Sequence, residues 1–144
     1  MLSVKWIELF AARVANGRAL TLLHGDFHVL GNVFAAQLGD RRVLKIIDWS
    51  EAKRGLGPHD LMYMLLAIDV DDRYKRDLRV LQRYHRGFQV AGVTDYEWEQ
   101  CLWNYRFSLL TSLFQLLFQD SVRWFKKTME VVRMWHSTEL LETI

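Results

Sequence analysis

The chain has few of the features that mark secreted or membrane-spanning proteins. Its 144 residues include a single cysteine, Cys101, and a single proline, Pro58. A lone cysteine excludes an internal disulfide and is typical of a reducing compartment, so we expect a cytoplasmic protein. No basic N-terminal segment leads into an apolar run, and we therefore predict no signal peptide. The longest nearly apolar stretch, residues 107–118, is shorter than the roughly 20 residues that cross a bilayer, so we predict no membrane span.

The balance of charge also excludes one class of partner. The formal net charge is +2, which is too small to argue for nucleic-acid binding. Hydrophobic residues make up 51% of the chain and charged residues 25%, which is typical of a globular protein. A chain of 144 residues suits one domain, so we predict a single domain over residues 1–144.

Two apolar segments each deliver a carboxylate, and an asparagine lies between them. Residues 20–23 read as a buried strand that ends in the sharp turn of Gly25, so Asp26 follows a rigid element. Residues 33–47 read as a β-hairpin with a turn near Gly39. Because a hairpin brings its outer ends together, we expect Asn32 to lie near Asp48. Two protein oxygens suit Mg²⁺, which keeps phosphate and water oxygens as its other ligands.

The rest of the chain is predicted to be helical. Residues 3–16 form an amphipathic helix, residues 50–57 a polar loop, and residues 58–144 a series of helices. Within that series we expect a helix over residues 73–90 whose arginines form a solvated face. A capping-box pattern at Thr94 predicts that the next helix opens there, and Asp120-Ser121 predicts the start of the last one. The predicted fold class is mainly α with a small β-hairpin over part of residues 20–49.

The order of these motifs resembles the aminoglycoside phosphotransferase and choline-kinase-like families. The resemblance rests on four segments in sequence: His24-Gly25-Asp26-Phe27-His28, Asn32, Ile47-Asp48-Trp49, and Gly57-Pro58-His59-Asp60-Leu61. Each motif alone is weak, but their combined order and spacing is specific. These families are small-molecule kinases related in fold to protein kinases, so the resemblance implies a kinase-like C-terminal lobe.

The resemblance also implies roles for individual residues. Asp26 is similar to the catalytic aspartate that accepts the proton of the substrate hydroxyl. Asn32 and Asp48 are similar to the magnesium ligands, with ATP as the phosphate donor. His24 and Asp60 are expected to support the site structurally, and we regard the ring of His28 as a candidate phosphate contact. The implied partners are ATP and a small molecule that carries a hydroxyl group.

The sequence departs from the family in two respects. Residues 27–31 separate Asp26 from Asn32, one residue more than is usual, and we expect a bulge near Leu30-Gly31 to absorb the difference. The family also needs a Gly-rich loop and a strand lysine that grip ATP, and the 23 residues before His24 contain no such loop. We therefore expect the chain to be a fragment of a longer enzyme that lacks its N-terminal ATP lobe.

Two other functions remain open. Without an ATP lobe, the chain could be a catalytically silent kinase-like module. Alternatively, a strand that carried His24, Asp26 and His28 would place all three side chains on one side, where they could bind Zn²⁺ in a metal-dependent hydrolase. This zinc hypothesis leaves the Ile-Asp-Trp motif and Asp60 without a role.

Overall fold

The fold consists mainly of helices, with two small antiparallel sheets at the N-terminal end of the chain. A computed structural model describes residues 2–69, 71–118 and 122–142. The described part contains the following elements: α1 (Leu2–Ala15), β1 (Leu20–Leu23), β2 (Val33–Leu38), β3 (Arg41–Ile46), β4 (Lys53–Leu56), α2 (Pro58–Leu66), α3 (Arg73–Val90), α4 (Trp98–Phe118) and α5 (Val122–Met134). Two short 3₁₀ helices cover Trp49–Glu51 and Ser137–Leu141. Within the described residues, no helix combines the length and apolarity that a membrane crossing requires.

The predicted hairpin is present. Strands β2 and β3 pair antiparallel from Val33 opposite Ile46 to Leu38 opposite Arg41. Two residues join the strands, and the first of them, Gly39, has a φ of +59°. A tight hairpin turn needs such a residue, because positive φ matches the twist of the flanking strands. The hairpin end that carries Asn32 and Ile47 lies beside the loop that follows β1, since Asn32 Nδ2 donates to the Asp26 carbonyl.

The prediction of a loop over residues 50–57 is wrong. Residues Lys53–Leu56 form β4, which pairs antiparallel with β1 so that Leu20 lies opposite Leu56 and Leu23 opposite Lys53. The strand has no apolar alternation of its own, since its outward side chains are Lys53 and Arg54. A Cβ on Gly55 would lie 2.6 Å from Leu23 Cδ1, so glycine lets the side chain of Leu23 pack against β4.

The core lies between α2, α4 and α5. Helix α2 packs against α4, and α4 packs against α5 and the 3₁₀ helix that follows it. The side chains that are almost wholly buried at these contacts include Met62, Leu65, Tyr105, Leu109 and Val132. Burial of such large apolar and aromatic side chains is the main stabilising term for a domain of this size. The first turn of α2, which bears Asp60, is thus anchored in the best-packed part of the molecule.

Two details of the helical part differ from the sequence-based prediction. Helix α4 begins at Trp98, and the Cys101 backbone N–H donates to the Glu97 carbonyl over 3.1 Å, so Glu97 rather than Thr94 precedes the helix. The Thr94 pattern therefore lies one turn too early. Helix α5 begins at Val122. The predicted start at Asp120-Ser121 lies outside the described residues.

The arginine face of α3 is only partly solvated. Asp77 is completely buried, and its carboxylate lies 3.4 Å from Arg73 Nε and 3.2 Å from Arg76 Nη2. Its Oδ2, the oxygen beside Arg73, also accepts a hydrogen bond of 2.8 Å from the Tyr105 hydroxyl. Burial, with Asp77 beside the ring, raises the pKa of Tyr105 well above its usual value. Arg73 and Arg76 thus lie beside a buried carboxylate of the core. Arg79, Arg83 and Arg86 are exposed, as predicted.

Candidate catalytic site

The loop after β1 turns sharply at Gly25. Gly25 has a φ of +87°, a conformation that residues with a side chain rarely adopt. A Cβ at this position would lie 2.1 Å from the carbonyl oxygen of Glu51, in the 3₁₀ turn after the hairpin. Glycine is therefore required both for the turn and for the close approach of the two loops. The turn places Asp26, which is half-buried, directly after it.

Asp60 fixes the backbone of this loop. Its Oδ2 accepts a hydrogen bond of 2.7 Å from the His24 backbone N–H, and its Oδ1 accepts one of 3.0 Å from the Gly25 N–H. Asp60 lies in the first turn of α2, where a carboxylate also interacts favourably with the positive end of the helix. Hydrogen bonds to an ionised acceptor are among the stronger ones in proteins. The position of Asp26 is thus tied to the helical core.

His24 connects the same loop to the end of the hairpin. Its side chain is buried, and Nε2 lies 2.8 Å from the Ile47 carbonyl oxygen. Because a carbonyl only accepts, Nε2 carries the proton and donates it. The ring also packs on Trp49, with 4.8 Å between the ring centroids. Its Nδ1 is buried and has no hydrogen-bond partner among the described residues.

Asn32, at the end of the loop over residues 27–31, forms hydrogen bonds to Asp26. Its Nδ2 donates to the Asp26 backbone carbonyl over 2.8 Å and to the Asp26 side-chain Oδ2 over 3.1 Å. The backbone N–H groups of Gly31 and Asn32 both donate to the His28 carbonyl, over 3.1 Å and 2.7 Å. Residues 29–32 thus form one tight turn of backbone between Asp26 and Asn32.

Asp48 stands at the other end of the hairpin. The Ile47 N–H donates to the Asn32 carbonyl over 3.0 Å, so the register brings the two ends together as the sequence indicated. Asp48 is exposed and has a φ of +60°, a left-handed conformation that aspartate tolerates better than most residues. The Ser50 hydroxyl donates to Asp48 Oδ1 over 2.8 Å.

His28 belongs to the same loop. Its backbone N–H donates to the Asp26 carbonyl over 2.8 Å. Its ring lies over Gly31, since a Cβ on that glycine would stand 3.2 Å from His28 Nδ1. The ring is half-buried, so one side remains open toward solvent. The structure thus places His28 in the same loop as Asp26, and its ring has no hydrogen bond to another of the described residues.

The oxygens left over in this site fit a hard divalent cation with few protein ligands. Asn32 uses its Nδ2 to hold Asp26, which leaves its Oδ1 without a donor among the described residues. Asp48 has Ser50 on Oδ1, and its Oδ2 likewise receives no hydrogen bond from the described part of the chain. One amide oxygen and one carboxylate oxygen are the donor set that Mg²⁺ takes when phosphates complete its coordination.

The zinc hypothesis does not fit this geometry. Residues 24–28 form a loop rather than a strand, and the His24 ring is held by the Ile47 carbonyl and Trp49. No group of three or more His, Cys, Asp or Glu side chains in the described ranges could hold a metal ion. His24, Asp26 and His28 therefore do not form a common metal site.

Comparison with known proteins identifies the family of the chain. A family model described as the phosphotransferase enzyme family matches residues 3–101, which extend from α1 into the first turn of α4. The chain belongs to this family, and the predicted resemblance is confirmed. Neither the search of curated proteins nor the search of solved structures gives a match.

Some residues of the site were not found from the sequence. Ser50 orients Asp48, and Trp49 both covers His24 and donates its Nε1–H to the Ile46 carbonyl over 3.2 Å. In the sequence analysis Trp49 appears only as part of the Ile-Asp-Trp motif, and its contacts with His24 and Ile46 were not predicted. A serine two residues after an exposed aspartate is a common turn arrangement, and it could have indicated the Ser50 contact.

Proposed function

We propose that the chain forms the catalytic part of an ATP-dependent phosphotransferase whose acceptor is a hydroxyl group on a small molecule. Its membership of the phosphotransferase family supports the reaction class. The observation that carries the proposal is the Asp26 carboxylate, which follows a turn fixed by Asp60 and is held on one oxygen by Asn32. A positioned carboxylate of this kind is what phosphoryl transfer to a hydroxyl requires.

In the proposed mechanism Asp26 orients the acceptor. Asn32 Nδ2 holds Oδ2, which leaves Oδ1 of Asp26 to accept a hydrogen bond from the substrate hydroxyl. The same oxygen takes the proton as the hydroxyl oxygen bonds to the γ-phosphorus of ATP, while the bond from that phosphorus to the β-phosphate oxygen breaks and ADP leaves. Most of the rate enhancement then comes from holding the hydroxyl in line with the phosphate.

Asn32 Oδ1 and Asp48 Oδ2 are the atoms we propose for the magnesium site. Their hairpin ends are joined by the Ile47–Asn32 backbone hydrogen bond, so the two oxygens belong to one rigid unit. When bound, Mg²⁺ would neutralise the charge of the ATP phosphates at this position. Ser50 keeps the Asp48 carboxylate oriented, and His28 is the proposed further contact for the transferred phosphate.

We further propose that this chain is the kinase-like C-terminal lobe of a longer cytoplasmic enzyme. The order β1, catalytic loop, hairpin and α2 supports the lobe assignment. In that arrangement an N-terminal lobe supplies the Gly-rich loop and lysine that grip ATP. The lone cysteine, Cys101, is buried and free, which suits a reducing compartment.

The test uses the full-length protein that is encoded by the natural reading frame containing this sequence. ADP release is measured with Mg²⁺–ATP and a library of small hydroxyl compounds. We expect turnover with at least one compound and a loss of about 100-fold or more in Asp26→Asn, because general-base catalysis typically contributes that much. The matched control is Asp40→Asn, at the exposed hairpin turn, which should keep wild-type turnover.

Two outcomes would overturn the proposal. Wild-type turnover in Asp26→Asn would remove Asp26 from the mechanism. A folded protein that neither binds Mg²⁺–ATP in a calorimetric titration nor releases ADP with any compound would be the catalytically silent module instead.

A further inference from the structure

A cavity lies outside the candidate catalytic site. It has a volume of about 310 Å³ and is enclosed by α1, the β1–β4 sheet, the start of α2 and the middle of α4. Its apolar walls include Phe10, Leu23, Leu56 and Phe107. The catalytic candidates Asp26, Asn32 and Asp48 are not among the residues that line it. A cavity of this size is within the range that holds small organic ligands.

Arg13 enters this cavity wall with an incomplete set of partners. The residue is only 7% exposed, so its guanidinium is largely removed from water. Its Nε donates to Asn104 Oδ1 over 3.2 Å, and its Nη2 donates to the Arg18 backbone carbonyl over 2.8 Å. Both acceptors are neutral, and Nη1 has no partner among the described residues. A buried arginine usually has a carboxylate or phosphate beside it, because an uncompensated buried charge is costly.

His59 provides a second buried polar group in the same wall. It is also 7% exposed, and its Nε2 has no hydrogen-bond partner in the described part of the chain. Buried ring nitrogens are normally satisfied, so this one is an unmet hydrogen-bonding group within the cavity wall. Two nearly buried side chains with unused polar atoms thus line one space.

The remaining charges of the cavity have the same sign. Lys53 and Arg54, both exposed on β4, also line the cavity, and the described lining residues include no Asp or Glu. The hydroxyls of Ser108 and Thr111 are already used, since they donate to the carbonyls of Asn104 and Phe107 over 2.7 Å and 3.0 Å. The cavity therefore offers cationic donors and apolar walls together.

We propose that this cavity is a binding site for a small organic carboxylate with an apolar body. The carboxylate accepts hydrogen bonds from Arg13 and from the cationic side chains of β4, and the apolar body packs against Phe10 and Phe107. A neutral or cationic molecule of the same shape gains only the apolar contacts. This site is separate from the proposed phosphotransferase centre, and its test measures binding rather than turnover.

The experiment titrates the purified full-length protein that contains this chain with three probes of equal chain length: octanoate, 1-octanol and octylamine. Tryptophan fluorescence is a suitable signal, because Trp6 stacks on Phe107 in the cavity wall with 5.0 Å between centroids. We expect saturable binding of octanoate that is about tenfold or more tighter than that of 1-octanol, as hydrogen bonds to a charged group provide. Octylamine should bind more weakly than either.

A pair of double variants separates the cavity from general surface charge. Lys53→Gln with Arg54→Gln should weaken octanoate binding about tenfold and leave 1-octanol binding unchanged. The control, Arg42→Gln with Lys45→Gln, removes the same two charges from exposed positions of β3 that do not line the cavity. It should bind octanoate as the wild type does. All four changes are at exposed side chains, so the variants should fold.

Three results would overturn the proposal. The first is no saturable octanoate binding, and the second is equal affinity for octanoate and 1-octanol. The third is equal weakening in both double variants, which would show that octanoate responds only to the net charge of the protein. Absence of competition by inorganic phosphate, which has no apolar body, would support the need for apolar contacts.

Discussion

The ring of His59 should make the stability of the protein depend on pH. Burial is the main cause that lowers the pKa of His59 from 6.5 to about 4. The charge of Asp60 opposes this change, and the charge of Lys53 adds to it. Because the folded protein resists protonation of this ring, the unfolded chain binds more protons between pH 6.5 and pH 4. Stability is therefore fully present above pH 6.5 and is lost as the pH falls toward 4.

The size of the effect follows from the two pKa values. At about 1.4 kcal/mol for each tenfold change in proton affinity, a fall from 6.5 to about 4 corresponds to about 3 kcal/mol in total. Between pH 7.5 and pH 5 the loss is about 2 kcal/mol, since His59 is then protonated in nearly all unfolded molecules and in few folded ones.

Urea denaturation at pH 7.5 and pH 5 measures this loss. In His59→Gln the titrating ring is gone, so the free energy of unfolding should fall by about 2 kcal/mol less than in the wild type. The control is His136→Asn, because His136 is exposed and asparagine tolerates its φ of +51°. We expect this variant to keep the wild-type pH dependence. If His59→Gln kept it as well, the buried ring would not be its source.

Two further predictions concern the loop that carries the proposed base. Gly25→Ala should lower the free energy of unfolding by about 3 kcal/mol, because the new Cβ meets the Glu51 carbonyl and the φ is positive. Gly39→Ala, also at positive φ but in open space, should cost only about 1 kcal/mol in the same urea experiment, and equal losses would contradict the steric argument. Asp60→Ala should cost about 3 kcal/mol, since two backbone N–H groups lose their acceptor. Thermal unfolding should detect that loss, and the control Asp40→Ala should unfold at nearly the wild-type temperature. A wild-type unfolding temperature in Asp60→Ala would show that the loop is stable without the two hydrogen bonds to Asp60.

The local elements of the fold were readable from the sequence because their signals are local. The hairpin follows from β-branched strand residues and a turn glycine at position 39, and β1 follows from an apolar run that ends at Gly25. The start of α2 follows from Pro58 and an acidic first turn. The family was also readable, because four short motifs stand in a fixed order.

The parts that were missed depend on residues distant in the sequence. Strand β4 has no alternation of its own and becomes a strand only by pairing with β1. Asp77 accepts a hydrogen bond from Tyr105, which lies on another helix, so the arginines beside Asp77 looked like a solvated face. The start of α4 was placed too early because Thr94 and Glu97 match a capping box, whereas Glu97 itself precedes the helix.

The two hydrogen bonds that Asp60 accepts from the loop have a consequence for how the proposed base is prepared for reaction. A loop of turn residues would ordinarily be ordered only when a substrate arrives, and the entropy cost of that ordering would weaken binding. Here the loop is ordered when α2 packs into the core, so the cost is met during folding. The site is thereby preorganised, and substitutions in the core beneath α2 become able to change turnover without touching the substrate.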